Sequence, residues 1–281
     1  MRTVSVFLFA IAISWAAATG PTFAGEAQNA FNEGVKYHRA GKFQEAINAY
    51  SRAIKAEPKA AEAYNNRGLA YYKLGRNEEA VKDFDAALKI TDQLTDAYYN
   101  RGNAYFVLKQ YDHAVKDYDE VIKRNPKFTK AYNQRALAYY NLNQYEKAIQ
   151  DFNQSQKLNA KDPEVYYSRG LAERRLGKNE AAIKDYTESI KLNSKNAEVY
   201  NNRANAYSLL GKYDDALKDY DQAVKLDPKN ARIYANRGVI KLRQEKADEA
   251  EKDFKKAAEL DPSLKDKIDA LMIEQKAQQK K

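Results

Sequence analysis

The sequence predicts an all-α fold, an α-solenoid in which helical hairpins are stacked in a row. Three observations predict it. The chain repeats itself with a constant period, each repeat carries apolar residues at helical spacing in two segments, and glycine or proline stands where those segments should end. With 281 residues, the chain is long enough for an elongated array of such repeats.

The repeat is seen by aligning "AYNNRGLAYYKLG" (63–75) with "VYNNRANAYSLLG" (199–211). The two segments are offset by four periods, and further copies lie between and beyond them, as at 97–109, 131–143 and 165–177. The register runs from Ala27 to about Leu264 without insertion or deletion. A repeat of this length cannot bury its own apolar face, so neighbouring repeats must stack to complete the core.

Each repeat predicts a helix, a turn and a second helix. In the second repeat, Tyr64, Gly68 and Tyr71 share one helical face, and Gly75 is placed to end that helix in the left-handed conformation. The stripe of the second helix is formed by Ala80, Phe84 and Ala87. Proline then stops the second helix at four places in the chain, Pro58, Pro126, Pro228 and Pro262.

These residues resemble the tetratricopeptide repeat. An aromatic residue is followed by Gly or Ala, then by Tyr, Ala, an aromatic and Ala at the family's offsets, as at Tyr200, Ala204, Tyr207, Ala216, Tyr220, Ala223 and Pro228. Departures occur at the first-helix tyrosine (Glu173, Lys241), the late alanine (Ser155, Ser189) and the proline (Asp92, Ala160, Ser194). None of these departures breaks the register of the repeats.

The resemblance implies a right-handed superhelix of seven repeats followed by a capping helix. The repeats would span 27–60, 61–94, 95–128, 129–162, 163–196, 197–230 and 231–264, and residues 265–281 would form the capping helix and a basic tail. Leu264, Ile268 and Leu271 are expected on the face of the capping helix that covers the last repeat.

Residues 1–24 have the composition of a secretory signal. Arg2 precedes an apolar run from Val4 to Ala18, and a Gly20-Pro21 break leads to small residues at Thr22 and Ala24. The run is shorter than the roughly 20 residues that a membrane-spanning helix needs. We expect an exported protein, periplasmic or secreted, with no membrane span once the signal is removed; retention of the segment as an anchor is the alternative.

Composition excludes several classes of site. There is no cysteine, so disulfides, thiol catalysis and cysteine metal sites are excluded. The net charge is +9, but acids and bases are interleaved along each helix, which argues against a nucleic-acid partner. The two histidines, His38 and His113, lie two repeats apart, so neither a metal site nor a catalytic triad is predicted. The sequence therefore predicts a non-enzymatic protein without cofactors.

An arginine stands among the apolar residues of the first helix in six repeats, and an aspartate follows it by sixteen residues each time. The first repeat lacks both members, with Glu33 and Ala49 in those positions. The joint loss predicts ion pairs between the two helices of one repeat, as scaffold contacts rather than a ligand site. The predicted pairs are Arg67–Asp83, Arg101–Asp117, Arg135–Asp151, Arg169–Asp185, Arg203–Asp219 and Arg237–Asp253.

Helical geometry places the second, fifth, sixth, ninth, twelfth and thirteenth residues of each first helix opposite its partner helix. In the tetratricopeptide family that face lines a concave groove, and its column of side-chain amides resembles the asparagine ladder that holds extended peptides. The candidate groove residues are Asn66, Tyr72, Tyr99, Asn100, Asn103, Phe106, Gln134, Tyr140, Tyr167, Asn202 and Asn236. Amides would contact the peptide backbone and exposed aromatics would anchor it.

The function predicted from this pattern is a protein–protein interaction scaffold that binds extended peptide segments of client proteins. Groove asparagines that merely keep the surface soluble, and tyrosines that pack on the next repeat, are the structural alternative. The alternative function is an adaptor, acting alone or as a homodimer, that assembles an envelope complex through its convex face or its C-terminal end. The family's set of Lys, Asn and Arg that clamps a C-terminal carboxylate is not found at its positions: Tyr99 stands where its lysine belongs.

Overall fold

The computed structural model describes residues 23–278, which fold into fifteen α-helices and one 3₁₀ turn without a β-strand. The predicted all-α fold of helical hairpins is confirmed. Residues 1–22 of the predicted signal and 279–281 of the predicted tail lie outside the described residues. The helices are α1 (Phe23–Arg39), α2 (Phe43–Ala56), α3 (Ala61–Lys73), α4 (Asn77–Ile90), α5 (Thr95–Val107), α6 (Tyr111–Arg124), α7 (Thr129–Asn141), α8 (Tyr145–Leu158), α9 (Pro163–Arg175), α10 (Asn179–Leu192), α11 (Ala197–Leu209), α12 (Tyr213–Leu226), α13 (Ala231–Arg243), α14 (Ala247–Leu260) and α15 (Lys265–Gln278), with the 3₁₀ turn at Pro262–Leu264.

The helices divide between two compact units. The N-terminal half ends at Gln144 and contains α1 to α7, and the C-terminal half begins at Tyr145 and contains α8 to α15. Within each half, odd-numbered helices are the first helices of the repeats and pack against the even-numbered second helices. From α3 to α13 each first helix starts exactly one sequence period after the previous one.

In hairpins that lie within one half, an aromatic ring of the second helix lies against a small residue of the first. In the N-terminal half Phe84 and Tyr118 are fully buried, and a methyl group at Gly102 would lie only 2.8 Å from the Tyr118 ring. Glycine therefore permits the close approach of α5 and α6. The turn between the two helices uses a left-handed residue, as predicted at Gly75, where φ is +77°.

The predicted ion pairs between arginine and aspartate form in both halves. Arg101 on α5 donates from Nε and Nη2 to the two carboxylate oxygens of Asp117 on α6, at 2.9 and 2.6 Å. The same two-pronged contact joins Arg67 to Asp83, Arg169 to Asp185, Arg203 to Asp219 and Arg237 to Asp253. For the remaining predicted pair, Arg135 belongs to the N-terminal half, and Asp151 is a buried residue of the C-terminal half.

A further contact, which the sequence interpretation missed, extends from each arginine to the preceding repeat. Nη1 of Arg101 lies 2.7 Å from Asp85 of α4, sixteen residues upstream. All six arginines use the same position, where the acceptors are Ser51, Asp85, Asp119, Asn153, Thr187 and Asp221. The arginines therefore join consecutive repeats as well as the two helices of one repeat. We call this arrangement the arginine clamp.

Tyrosines lie beside the guanidinium of each clamp arginine, two of them in four repeats and one in the other two. The guanidinium carbon of Arg101 lies 5.5 Å from the ring centre of Tyr98 and 5.9 Å from that of Tyr105, one turn away on either side. Burial alone would lower the pKa of Arg101, but Asp117 and Asp85 outweigh burial and raise it. The flat, weakly hydrated guanidinium suits a site between aromatic rings that a lysine would fill poorly.

Two repeats of the C-terminal half replace the second tyrosine of the clamp. In the seventh repeat Lys241 takes its place and lies 3.0 Å from Asp253, adding a cation to the clamp. In the fifth repeat the replacement is Glu173, an acid beside Asp185. The pKa of Glu173 is raised to about 7, mainly by burial and also by the charge of Asp185, while Arg169 opposes the rise.

The last repeat is covered by α15, with one correction to the prediction. Ile268 is buried and Leu264 packs beside it against α14, as expected, but Leu271 is exposed and Met272 packs in its place. The buried spacing is therefore four and four residues, the one-face spacing of a helix. No helix within residues 23–278 is long and apolar enough to cross a membrane.

The two acids of one clamp should differ in their effect on stability. Asp117 is 5% exposed and Asp85 is 51% exposed, although both contact Arg101. We expect Asp117→Ala to lower the free energy of unfolding by about 3 kcal/mol, because it leaves a half-buried cation with only its solvent-exposed partner Asp85. Asp85→Ala should cost about 0.5 kcal/mol, the usual worth of a solvent-screened pair. Urea unfolding of both variants measures the difference, and an equal loss in the two would contradict the clamp.

Glu173 should make the C-terminal half less stable as pH rises. Its pKa in the folded protein is above that in the unfolded chain, so the folded state binds the proton more tightly and stability is lost between about pH 4.5 and pH 7. We expect Glu173→Gln to stabilise the protein by about 1 kcal/mol at pH 8 and to flatten the pH dependence.

The measurement for Glu173 is urea unfolding of the full chain at pH 5 and pH 8. Glu180→Gln is the matched control, because Glu180 is an exposed acid on α10 and its removal changes the net charge equally. A Glu173→Gln variant whose stability falls with pH as steeply as that of the native chain would show that Glu173 is not the source.

Candidate functional site

The candidate site is the face of the first helices that points away from their partner helices. We call it the first-helix face; it consists of the second, fifth, sixth, ninth, twelfth and thirteenth residues of each odd-numbered helix from α3 to α13. Six of the eleven predicted groove residues are more than nine-tenths buried on this face: Asn66, Tyr99, Asn100, Asn103, Gln134 and Asn202. Tyr72, Phe106, Tyr140, Tyr167 and Asn236 are half-buried. The expectation of an exposed amide column is therefore wrong for most of its members.

The buried amides contact one another between repeats. Asn100 donates to Oδ1 of Asn65, in the preceding first helix, at 3.4 Å, and Asn236 donates to Asn201 at 3.2 Å in the same relation. Asn202 donates to the hydroxyl of Tyr167, again in the preceding first helix, at 3.2 Å. These three contacts tie neighbouring first helices together, whereas the buried side-chain nitrogens of Asn66 and Asn103 have no hydrogen-bond partner within the described residues.

Tyr99 is a core residue, although its position on α5 predicted a groove anchor. It is 3% exposed, its ring lies 5.1 Å from that of Phe128 at a steep angle, and Tyr118 lies 6.0 Å away. Burial raises the pKa of Tyr99 to about 12, and the neighbouring amides of Asn103 and Gln134 oppose that rise. A truncated Tyr99 would therefore leave a cavity in the N-terminal half.

The buried side chain of Asn103 accepts a hydrogen bond from a tyrosine of the second helix. The hydroxyl of Tyr118 donates to its Oδ1 at 2.9 Å, and Tyr220 donates to Asn205 at 2.6 Å in the equivalent position. In repeats two and seven that second-helix position is held by phenylalanine (Phe84, Phe254), and Leu69 and Val239 replace the asparagine. The pairing is not general, because Tyr50 of the first repeat and Tyr186 of the fifth have Val35 and Leu171 at the asparagine position.

What remains accessible in the N-terminal half is a column of aromatics at the twelfth position. Tyr72 on α3, Phe106 on α5 and Tyr140 on α7 are each half-buried, and Val107 beside Phe106 is 47% exposed. The Phe106 ring is held edge-on against Tyr111 at 5.3 Å. Consecutive repeats thus present pre-ordered aromatic surface in one row.

The same face of the C-terminal half is charged. Near the start of the first helices, Asp162, Glu164 and Glu198 lie close enough to interact, and burial raises the pKa of Glu164, with the two neighbouring carboxylates adding to the rise. At the other end of these helices stand Arg174 and Arg243. The sequence interpretation singled out neither group.

The histidines form no site. His38 is buried edge-on against Phe43 at 5.2 Å, and burial lowers its pKa to about 4, with Lys73 adding to the effect. His113 is exposed, and its ring lies 5.0 Å from that of Tyr105. Within the described part of the chain, no three histidine, cysteine or acidic residues are grouped in a way that could hold a metal ion.

Comparison with solved structures shows proteins of the same architecture. The chain is similar to the C-terminal part of a repeat-containing protein from Cytophaga hutchinsonii, with a TM-score of 0.72, 20% identity, and coverage of 86% of this chain and 99% of that one. A tetratricopeptide repeat protein from Parabacteroides merdae gives a TM-score of 0.66 and 24% identity, covering 88% and 99%. YrrB, described as a protein with an unusual peptide-binding site, gives 0.58 and 21%, covering 65% and 94%. No curated protein matches.

Family comparison agrees with the fold. A tetratricopeptide repeat family matches residues 34–75, and the family described as the C-terminal domain of cilia and flagella-associated protein 70 matches residues 59–280, well over half of the chain. Repeats of this fold provide a scaffold for protein–protein interaction. The chain belongs to the tetratricopeptide repeat proteins, in the family described by that C-terminal domain.

Proposed function

We propose that the protein is a non-enzymatic scaffold that binds extended segments of client proteins on the first-helix face of its N-terminal half. The observation that carries the proposal is the row formed by Tyr72, Phe106 and Tyr140, which stays partly accessible while the amides beside it are buried. Aromatic side chains supply large contact area at low entropic cost, and they dominate binding energy at protein interfaces.

The spacing of the row favours an extended ligand. Helices that pack side by side lie about 8–10 Å apart, and an extended chain advances about 3.3 Å per residue. A client would therefore place an apolar side chain against each repeat at about every third residue. The amide column does not bind the client in this proposal. It supports the site by fixing the distance between the repeats that carry the aromatic row. YrrB's likeness, at 21% identity, supports the fold alone, so the proposal rests on these residues.

The aromatic row can be tested with peptides selected from a displayed random library against the full chain. We expect Phe106→Ala to weaken the selected peptides about tenfold, the loss typical of an interface anchor. Ile90→Ala is the matched control, since Ile90 is an apolar residue of the same half that is 37% exposed on a second helix. Peptides that bind the Phe106 variant and the native chain equally would refute the site; circular dichroism checks that both variants are folded.

The adaptor function is the second candidate, and exposed apolar residues on α15 favour it. Ile273 is 69% exposed and Leu271 is 38% exposed at the C-terminal end of the described chain. An adaptor that assembles an envelope complex through this end would lose its assembly in Ile273→Ser and keep it in Phe106→Ala. The client scaffold shows the reverse pattern, so the two variants separate the two functions.

We also propose that the protein is exported, on the basis of the signal-like composition of residues 1–24. The mature chain should then begin near Gly25 and be recovered in the periplasmic or secreted fraction. N-terminal sequencing of the protein purified from its native cells tests this. Recovery of Met1 to Ala24 on membrane-bound protein would contradict cleavage and favour the retained anchor.

A further inference from the structure

An open pocket of about 510 Å³ lies at the junction of the first and second repeats, in the N-terminal half. We call it the Tyr64 pocket. Its walls come from the α2–α3 loop, the first turn of α3 and the end of α4: Pro58, Lys59, Tyr64, Ala86, Lys89 and Ile90. None of these residues belongs to the first-helix face, since Tyr64 is the fourth residue of α3. The pocket is therefore a surface separate from the aromatic row.

The pocket opens where Ala86 stands in place of a long side chain. The equivalent position of every other repeat holds a larger residue: Arg52, Glu120, Gln154, Glu188, Gln222 and Lys256. Because the repeats share one backbone arrangement, an alanine here leaves space that a side chain of the chain itself takes elsewhere.

The third repeat shows what fills that space. Arg124 of α6 lies 4.8 Å from the ring centre of Tyr98 and 3.4 Å from Glu120, so two charged side chains cover the tyrosine. In the second repeat the residue equivalent to Arg124 is Ile90, which is exposed. Tyr64 and Ile90 therefore provide an apolar floor without this polar cover.

Ala86 also leaves a lysine without its acid. In the fifth repeat, where the position is Glu188, the lysine three residues later pairs with it, and Nζ of Lys191 lies 2.6 Å from the carboxylate. The equivalent lysine of the second repeat is Lys89. Its amine and that of Lys59 make no hydrogen bond or ion pair within residues 23–278, and both residues border the pocket. The pocket thus combines an apolar floor with two available cations.

We propose that the Tyr64 pocket binds a segment of a partner protein in which an apolar side chain is flanked by acidic residues. The apolar side chain would pack on Tyr64 and Ile90, and a carboxylate would pair with Lys89 as Glu188 pairs with Lys191. Exposed ion pairs add little affinity, so the apolar contact supplies the binding and the lysines select an acidic partner.

The observations favour a polypeptide from another molecule. The equivalent positions are filled by side chains of a polypeptide, at the geometry of a glutamate beside a lysine or an arginine beside a tyrosine. The ends of this chain beyond the described range do not supply the acid, since residues 1–22 and 279–281 contain no Asp or Glu. The pocket would give the scaffold a second contact, with a chemistry different from that of the aromatic row.

The experiment is an NMR titration of the ¹⁵N-labelled full chain at low salt with three capped peptides. They are acetyl-Ser-Glu-Leu-Glu-Ser-amide, its counterpart with Gln in place of Glu, and its counterpart with Ser in place of Leu. We expect the first peptide to bind at least tenfold more tightly than either counterpart and to shift the amide signals of Ala86 and Lys89.

Ala86→Glu is the deciding variant, because it supplies the side chain that the fifth repeat carries at this position and fills the pocket without touching the core. It should weaken the Glu-Leu-Glu peptide at least tenfold. Lys116→Gln is the matched control, since it lowers the net charge equally at an exposed lysine of α6 in the same half and should leave binding unchanged. Ile90→Ala should weaken the peptide about threefold, through lost apolar contact.

Each other outcome overturns the pocket. Equal binding to the native chain and Ala86→Glu would place the peptide elsewhere, and an equal loss in Lys116→Gln would reduce the effect to net charge. Tighter binding of sodium octanoate than of the Glu-Leu-Glu peptide, lost in Ala86→Glu, would assign the pocket to a lipid-like anion. Absence of binding by all three peptides would refute the pocket. The proposed function would stand in each case, because peptides on the first-helix face depend on Phe106 and keep their affinity in Ala86→Glu and Ile90→Ala.

Discussion

The arginine clamp is the interaction on which the rest of the structure depends. A single repeat cannot bury its apolar face, so the fold exists only if neighbouring repeats keep a fixed distance. Five of the six clamp arginines contact the second helix of their own repeat and that of the repeat before, as Arg101 does with Asp117 and Asp85. Arg135 contacts Asp119 in the second helix of the repeat before. One side chain thereby fixes three helices, and every position on the first-helix face follows from that spacing.

The clamp contributes more to register than to net stability. Burial raises the pKa of Asp117, and Arg101 opposes the rise without cancelling it, so desolvation and pairing largely offset each other. Apolar residues in place of the ion pair could stabilise the contact between the helices equally well, but they would not fix the helices in one register. A planar guanidinium with fixed acceptors and a tyrosine on at least one side restricts the arrangement of the helices, and we infer that this is why the arginine recurs six times.

The sequence predicted the hairpins and the arginine–aspartate pairs because both depend on spacing within one repeat. The sequence did not predict the burial of Asn100. Helical periodicity gives the direction in which a side chain leaves the helix axis, but it does not give the distance to the next repeat. The third contact of the clamp did leave a signal. An oxygen-bearing residue lies sixteen positions before every clamp arginine, whereas the last repeat, with no arginine to follow, has Lys255 there. The prediction that Leu271 would cover the last repeat was wrong for a simpler reason. Met272 continues the four-residue spacing from Ile268, and Leu271 does not.

Because the repeats share one backbone arrangement, comparing equivalent positions between repeats separates structural residues from candidate functional ones. Positions that hold the same residue in every repeat maintain the stack, and some variable positions are explained by contacts, as Asn103 is by Tyr118. Once these are set aside, the twelfth position still varies on an unchanged backbone, with Phe106 in one half and Arg174 in the other. Nε of Arg174 is shielded from solvent and has no hydrogen-bond partner within the described part of the chain. A shielded donor without a partner costs stability, so the packing of the stack does not account for an arginine at this position.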